Sequence, residues 1–117
     1  MKHQVIQRIL SRRTGPRRAL LKNLLNSLIL YEKIKTTEAK AKEIKPLMEK
    51  IITRAKVDNL HNRREIIKKL PTQNAVKKVF EVLSPRYKER GGGYLRIIKL
   101  GVRKGDGARM TMIEFVK

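Results

Sequence analysis

The chain has 117 residues, 40% of them hydrophobic and 34% charged, which supports one domain with one modest core and not two. Lys plus Arg number 30 against 10 Asp plus Glu, giving a formal charge of +20 and a pI near 10.9. A compact body so charged repels itself until a polyanion neutralises it, so nucleic acid leads the candidate partners, ahead of an acidic membrane surface or an acidic protein. With no Cys, disulfides, thiol nucleophiles and thiolate metal sites are excluded.

Residues 1–16 read as a basic arm. Lys2, Arg8, Arg12 and Arg13 lie in it, Arg17 and Arg18 follow at once, and no acid occurs before Glu32. No continuous apolar run precedes the first arginines, so no secretory signal is expected. Thr14-Gly15-Pro16 should break the arm from the next helix, whose first turn Pro16 suits. That helix, Ala19 to Tyr31, is the most apolar window of the chain. Leu20, Leu21, Leu24, Leu25, Leu28 and Ile29 recur at spacings of three and four, and Leu30 and Tyr31 widen the apolar surface. The pattern predicts a central helix covered on several sides. At about thirteen residues it is too short to span a bilayer.

Lys33 to Thr36 has the β-branching and alternation of a short strand. Thr37 is a good N-cap and Glu38 complements the dipole of the helix it opens. Ala41, Ile44, Met48, Ile51, Ile52 and Ala55 keep helical spacing through to Lys56, so Pro46 is expected to kink this helix and not divide it. Asp58-Asn59 signals a turn and a cap. A third helix should carry Leu60, Ile66, Ile67 and Leu70. Thr72 should cap a fourth, with Val76, Val79, Phe80 and Leu83 on one face, ending at Ser84-Pro85. The segment 85–93 is a loop rich in Arg and Gly. Tyr94 to Leu100 and Met110 to Val116 read as strands joined through Gly105-Asp106-Gly107, an antiparallel hairpin that the first strand would join as a third member.

Catalysis finds little support. His3 and His61 are far apart with no carboxylate pattern around them, and Ser11, Ser27 and Ser84 lack a nucleophile's context. Gly91-Gly92-Gly93 precedes a strand, whereas a P-loop follows one and opens a helix with Gly-Lys-Ser/Thr. No enzyme activity, metal, cofactor or small-molecule substrate is expected. The span from Arg86 to Arg109 is more informative: Arg86, Lys88, Arg90, Arg96, Lys99, Arg103, Lys104 and Arg109 face only Glu89 and Asp106. Arginine forks match phosphate oxygens, tyrosines such as Tyr87 and Tyr94 can stack on an unpaired base, and glycines let an RNA backbone lie close. Tyr94 also has a plain core reading. Two other classes compete. The third and fourth helices, joined by Leu70-Pro71-Thr72, resemble a helix-turn-helix, but Gln73, Asn74, Lys77 and Lys78 are few to specify a DNA sequence. An RNA-modifying enzyme needs a carboxylate or cofactor cleft, and the acids are spread along the chain.

Met1-Lys2-His3, Arg8-Ile9-Leu10-Ser11-Arg12, Ile34-Lys35-Thr36-Thr37, Lys40-Ala41-Lys42-Glu43, Pro85-Arg86-Tyr87, Gly92-Gly93-Tyr94-Leu95-Arg96-Ile97, Lys99-Leu100 and Gly105-Asp106-Gly107-Ala108 occur in this order along nearly the whole chain. Together they resemble the bacterial large-subunit ribosomal protein L17 family. The resemblance implies an α/β, two-layer fold, with about four helices packed on a small mixed sheet of three strands beside the arm. It implies a structural constituent of the large ribosomal subunit in the cytoplasm, bound to large-subunit ribosomal RNA near the peptide exit tunnel, with neighbouring ribosomal proteins as further partners and no membrane. The RNA-binding residues it points to are Lys2, His3, Arg8, Arg12, Arg13, Arg17 and Arg18 in and after the arm, and Lys35 on the first strand. Around the hairpin they are Arg86, Tyr87, Arg90, Gly92, Gly93, Tyr94, Arg96, Arg103 and Lys104. The chain departs from the family's usual residues at Gln7, Ser11, Pro16, Leu95 and Arg109, while Arg12, Arg17, Arg86, Arg90 and Arg96 stand where the family also carries basic residues.

Overall fold

Helix α1 (Thr14–Tyr31) begins before its apolar window, so Thr14, Gly15 and Pro16 form its first turn instead of a break ahead of it. The computed structural model describes residues 14–117; residues 1–13 of the expected arm, with its expected contacts at Lys2, His3, Arg8, Arg12 and Arg13, lie outside the described residues. Strand β1 (Lys33–Thr37) leads into α2 (Glu38–Ala55), followed by α3 (Leu60–Lys69) and α4 (Gln73–Lys78). The hairpin strands β2 (Leu95–Val102) and β3 (Arg109–Phe115) close the chain.

The local start signals hold. Thr37 Oγ1 accepts from the Lys40 N–H at 3.5 Å, Asn59 Oδ1 from Asn62 at 2.8 Å and Thr72 Oγ1 from Ala75 at 3.3 Å. Each cap satisfies a donor that the first turn leaves without an intrahelical partner. Helix α2 stays one helix through Pro46, because its apolar stripe continues in register on both sides. It buries Ala41, Ile44, Met48, Ile51, Ile52 and Ala55, and packs on both helical neighbours and the sheet.

That makes α2 the central helix. Helix α1 buries only one stripe, Leu25, Leu28 and Ile29, with Leu21 and Leu24 partly covered, while Tyr31 is 71% exposed. The expectation of α1 covered on several sides is therefore corrected. Its apolar residues are numerous, but Leu30 and Tyr31 at its end face outwards and are exposed.

Helix α4 does not stop at Ser84-Pro85. It runs on through a π-helical segment, Val79–Leu83, and a last turn, Ser84–Arg86. The buried residues Ala75, Val79, Leu83 and Tyr87 are spaced by four. In a plain α-helix that spacing drifts round the axis. The wider turn brings Leu83 and Tyr87 back to the core side and makes room for Pro85, whose ring crowds the carbonyl four residues earlier.

The strand order is β1-β3-β2, and both pairings are antiparallel. The expected mixed sheet is thus corrected: β1 and β2 run the same way, but β3 separates them, so no parallel pair forms. One face, with Ile34, Thr36, Leu95, Ile97, Thr111, Ile113 and Phe115, packs on the helices; among the described residues the other carries no helix. Buried Thr111 keeps its hydroxyl satisfied by donating to the Thr36 carbonyl at 3.3 Å.

Glu32 joins the two layers. It takes a left-handed φ of 63°, its N–H donates to Leu28 at 2.8 Å, and its carbonyl accepts from Phe115 at 3.0 Å. A non-glycine residue held there stores about 1–3 kcal/mol, so the surroundings must over-determine it. They do so through its carboxylate, which meets Arg86 at 2.5 Å and Lys78 at 3.1 Å. The hydrogen bond from Arg86 is the main reason the Glu32 pKa falls from 4.5 to about 2. The folded pKa lies below the unfolded one, so this stabilisation is complete above about pH 4.5 and is lost as pH falls towards 2. Because the site is partly solvated, its worth is about 1 kcal/mol. Wild type should therefore lose about 1 kcal/mol more than Glu32→Gln between pH 5 and pH 2 in urea titrations; parallel losses would show that the pair is not coupled to folding.

Candidate nucleic-acid interface

Among the described residues, the helix-free side of the sheet is a surface that the core leaves open. Its register places Lys33, Glu114 and Arg96 in one row, and Lys35, Met112 and Ile98 in the next. Lys33, Lys35 and Arg96 are exposed, and Ile98 is 40% exposed among them. Arg96 is on this open face, with Leu95 and Ile97 turned to the core. Its Nε lies 3.1 Å from Glu114 Oε1 across the strands, so its charge is partly spoken for. Lys33 and Lys35 have no carboxylate partner among the described residues.

The loop before β2 is held by its own backbone. Arg90 Nε donates to the carbonyls of Gly92 and Gly93 at 3.2 Å each, and the Lys56 ammonium donates to the Arg90 carbonyl. Gly93 has a φ of 62°, and a side-chain carbon at Gly91, Gly92 or Gly93 would meet nothing within 4 Å. The strip is therefore bare backbone open to a close neighbour. Lys56 is a residue that the sequence did not single out; only its three-dimensional place beside Arg90 and Tyr94 reveals it.

The two tyrosines are core residues. Tyr87 is 3% and Tyr94 1% exposed, with ring centroids 5.2 Å apart, and Phe115 stacks 6.2 Å from Tyr87. The Tyr87 hydroxyl donates to the Val116 carbonyl, and the Tyr94 hydroxyl shares a hydrogen bond with Thr53 at 3.3 Å. Rings so enclosed have no free face for a base, which corrects their expected stacking role. The signal for burial was present in the text as two aromatics flanking a glycine run, but the same pattern suits an RNA platform.

At the far end of the hairpin, Arg103 Nε meets Asp106 at 3.1 Å, and the Ala108 N–H donates to the same carboxylate at 3.1 Å. Arg103, then the Ala108 amide, hold Asp106 down at about 2. The turn thus compensates Arg103 internally and leaves Lys104 beside it unpaired. Arg86 is likewise held by Glu32. Arg17 and Arg18 stand on the first turns of α1, half-exposed and exposed respectively. Among the described residues, the structure therefore sorts the expected contacts into cations without an ion-pair partner (Arg17, Arg18, Lys35, Lys104), internally partnered ones (Arg86, Arg90, Arg96, Arg103) and buried rings.

A two-layer α/β body with cations on its open sheet face, its loops and its helices, and acids used to brace a few of them, suits a structural protein that seats on a polyanion. The family model described as Ribosomal protein L17 matches residues 20–116, and the chain belongs to that family. It is 51% identical over 116 residues to the large ribosomal subunit protein bL17 of Solibacter usitatus, covering 99% of this chain and 77% of the relative. Against the bL17 of Caldanaerobacter subterraneus it is 50% identical over 109 residues, covering 93% and 97% of the two chains. Against that of Borrelia hermsii it is 49% identical over 116 residues, covering 99% and 94%. The chain is accordingly a ribosomal protein, a structural constituent of the ribosome and not an enzyme, and the helix-turn-helix and RNA-modification readings fall away.

Proposed function

We propose that this chain is built into the large ribosomal subunit by binding large-subunit ribosomal RNA through its arm and its C-terminal hairpin, close to the peptide exit tunnel and to neighbouring ribosomal proteins. The observation that carries the reading is the helix-free sheet face. It is exposed and crossed by Lys33 and Lys35, with Lys104 at the hairpin tip, and none of these three cations is balanced by an ion pair among the described residues. A phosphate backbone supplies that balance, and the open glycine strip at Gly91 and Gly92 allows close approach. The location near the tunnel rests on the family resemblance. Sedimentation of a cell extract through sucrose gradients of rising salt tests the reading. The protein should travel with the large particle at low salt and leave it only under a strong salt wash. Recovery at the top of a low-salt gradient would overturn it.

A further inference from the structure

Between α1, α2 and α3 lies a cleft of about 200 Å³ that none of the surfaces above includes. Its floor is aliphatic: Leu25 and Ile51 from the core, with Leu21 and Leu47 partly covered above them. Its rim is cationic: Arg18 and Lys22 from α1, Lys50 from α2, Lys68 and Lys69 from α3, with no acid lining it. Lys68 leans towards Glu65 at 3.4 Å. Arg18, Lys22, Lys50 and Lys69 have no carboxylate partner among the described residues. Three separate helices thus bring like charges round an apolar hole. Their mutual repulsion is a standing cost that an anion bound there removes.

We propose that this cleft is an RNA subsite that receives one unstacked base, while Lys22, Lys50 and Lys69 hold the phosphates on either side of it. The inference rests on the RNA-binding reading above and adds a second contact surface, away from the sheet. A nucleotide has the matching parts, a flat ring with weakly polar faces and anionic groups on both flanks. Lysine ammoniums suit the second role as mobile point charges. An acidic peptide fits less well. Its size admits one side group and not the row of anchors that an extended peptide needs. The chain's own residues 1–13 carry Lys2, Arg8, Arg12 and Arg13 and no acid, so the rim repels them. No sequence signal marks the site, because its cations lie up to 51 positions apart, from Arg18 to Lys69, and each sits among ordinary exposed helix residues.

The test uses the full chain and large-subunit RNA. Lys22→Gln/Lys50→Gln/Lys69→Gln changes exposed residues only and should melt like wild type. Leu47→Phe narrows the cleft with a rigid ring without altering charge. In filter binding at several salt concentrations, the triple variant should bind about tenfold or more weakly at 0.1 M salt, with a log–log salt slope shallower by about 1.4, as loss of the two flanking phosphates at ~0.7 each requires. Base-modifying probes should show one base shielded by wild type and reactive with Leu47→Phe, which keeps the wild-type salt slope. An unchanged slope and affinity for the triple variant, beside steep wild-type binding, would overturn the subsite and leave the RNA-binding reading standing. A weakened triple variant with no base released by Leu47→Phe would overturn base insertion. Capture of polyglutamate by the cleft with RNA binding unaffected would assign it to acidic proteins instead. Salt-independent or absent wild-type binding would overturn the RNA-binding reading itself.

Discussion

Replacing Tyr94 by Ala should destabilise the free protein by about 3–5 kcal/mol, as for other large aromatic truncations in packed cores. The ring is 1% exposed, tilted at 5.2 Å against Tyr87, and capped by the Lys56 ammonium 4.7 Å from its centroid. Truncation removes the ring contacts and leaves a void that α2 and the hairpin, both held by other contacts, fill only in part. A protein of this size has about 5–15 kcal/mol in total, so the variant forfeits about a fifth or more of its stability. Tyr94→Phe keeps the ring and drops the bond to Thr53, at a cost of about 0.5–1.5 kcal/mol. Urea unfolding of the two variants beside wild type measures both. A Tyr94→Ala protein that unfolds like wild type but binds RNA more weakly would return Tyr94 to the role of a base platform.

What the sequence made legible was local. Thr37, Asn59 and Thr72 announce their helices because a cap involves residues three apart, and the stripe of α2 survives Pro46 because packing on one face outweighs a single lost donor. The hairpin follows from its glycine turn. What stayed hidden depends on residues brought together by the fold. Nothing near Glu32 signals a left-handed φ, since the ties that hold it come from Lys78, Arg86 and Phe115. The strand order was hidden because β1 reaches β3 across two-thirds of the chain. Arg86, Arg96 and Arg103, expected as phosphate contacts, each meet an acid that spacing alone does not pair with them. Charge tells which partner class to expect; only geometry tells which charges are still free to meet it.

Salt should weaken RNA binding by orders of magnitude. Each phosphate neutralised by Lys or Arg releases condensed counterions, so the logarithm of the binding constant falls with the logarithm of salt by roughly 0.7 per contact for single strands and 0.9 for duplex DNA. With 30 Lys and Arg against 10 acids, charge sets no practical ceiling on the contacts. Six to ten of them would bring a loss of about 10³–10⁵ in affinity between 50 and 200 mM salt. The structure adds a ranking within that total. Removing unpaired Lys33, Lys35 and Lys104 by changing each to Gln should flatten the slope by about 2, at ~0.7 per contact, and leave the melt unchanged. Changing Arg103 to Gln should flatten it less than one full contact, because Asp106 already offsets that charge and would itself be left facing the phosphates. Filter binding across a salt series, with a thermal melt of each variant, reads both effects. A wild-type slope near zero would mean that the +20 charge is not what binds RNA. A slope that responds to Arg103 but not to the three lysines would move the interface from the open sheet face to the hairpin turn alone.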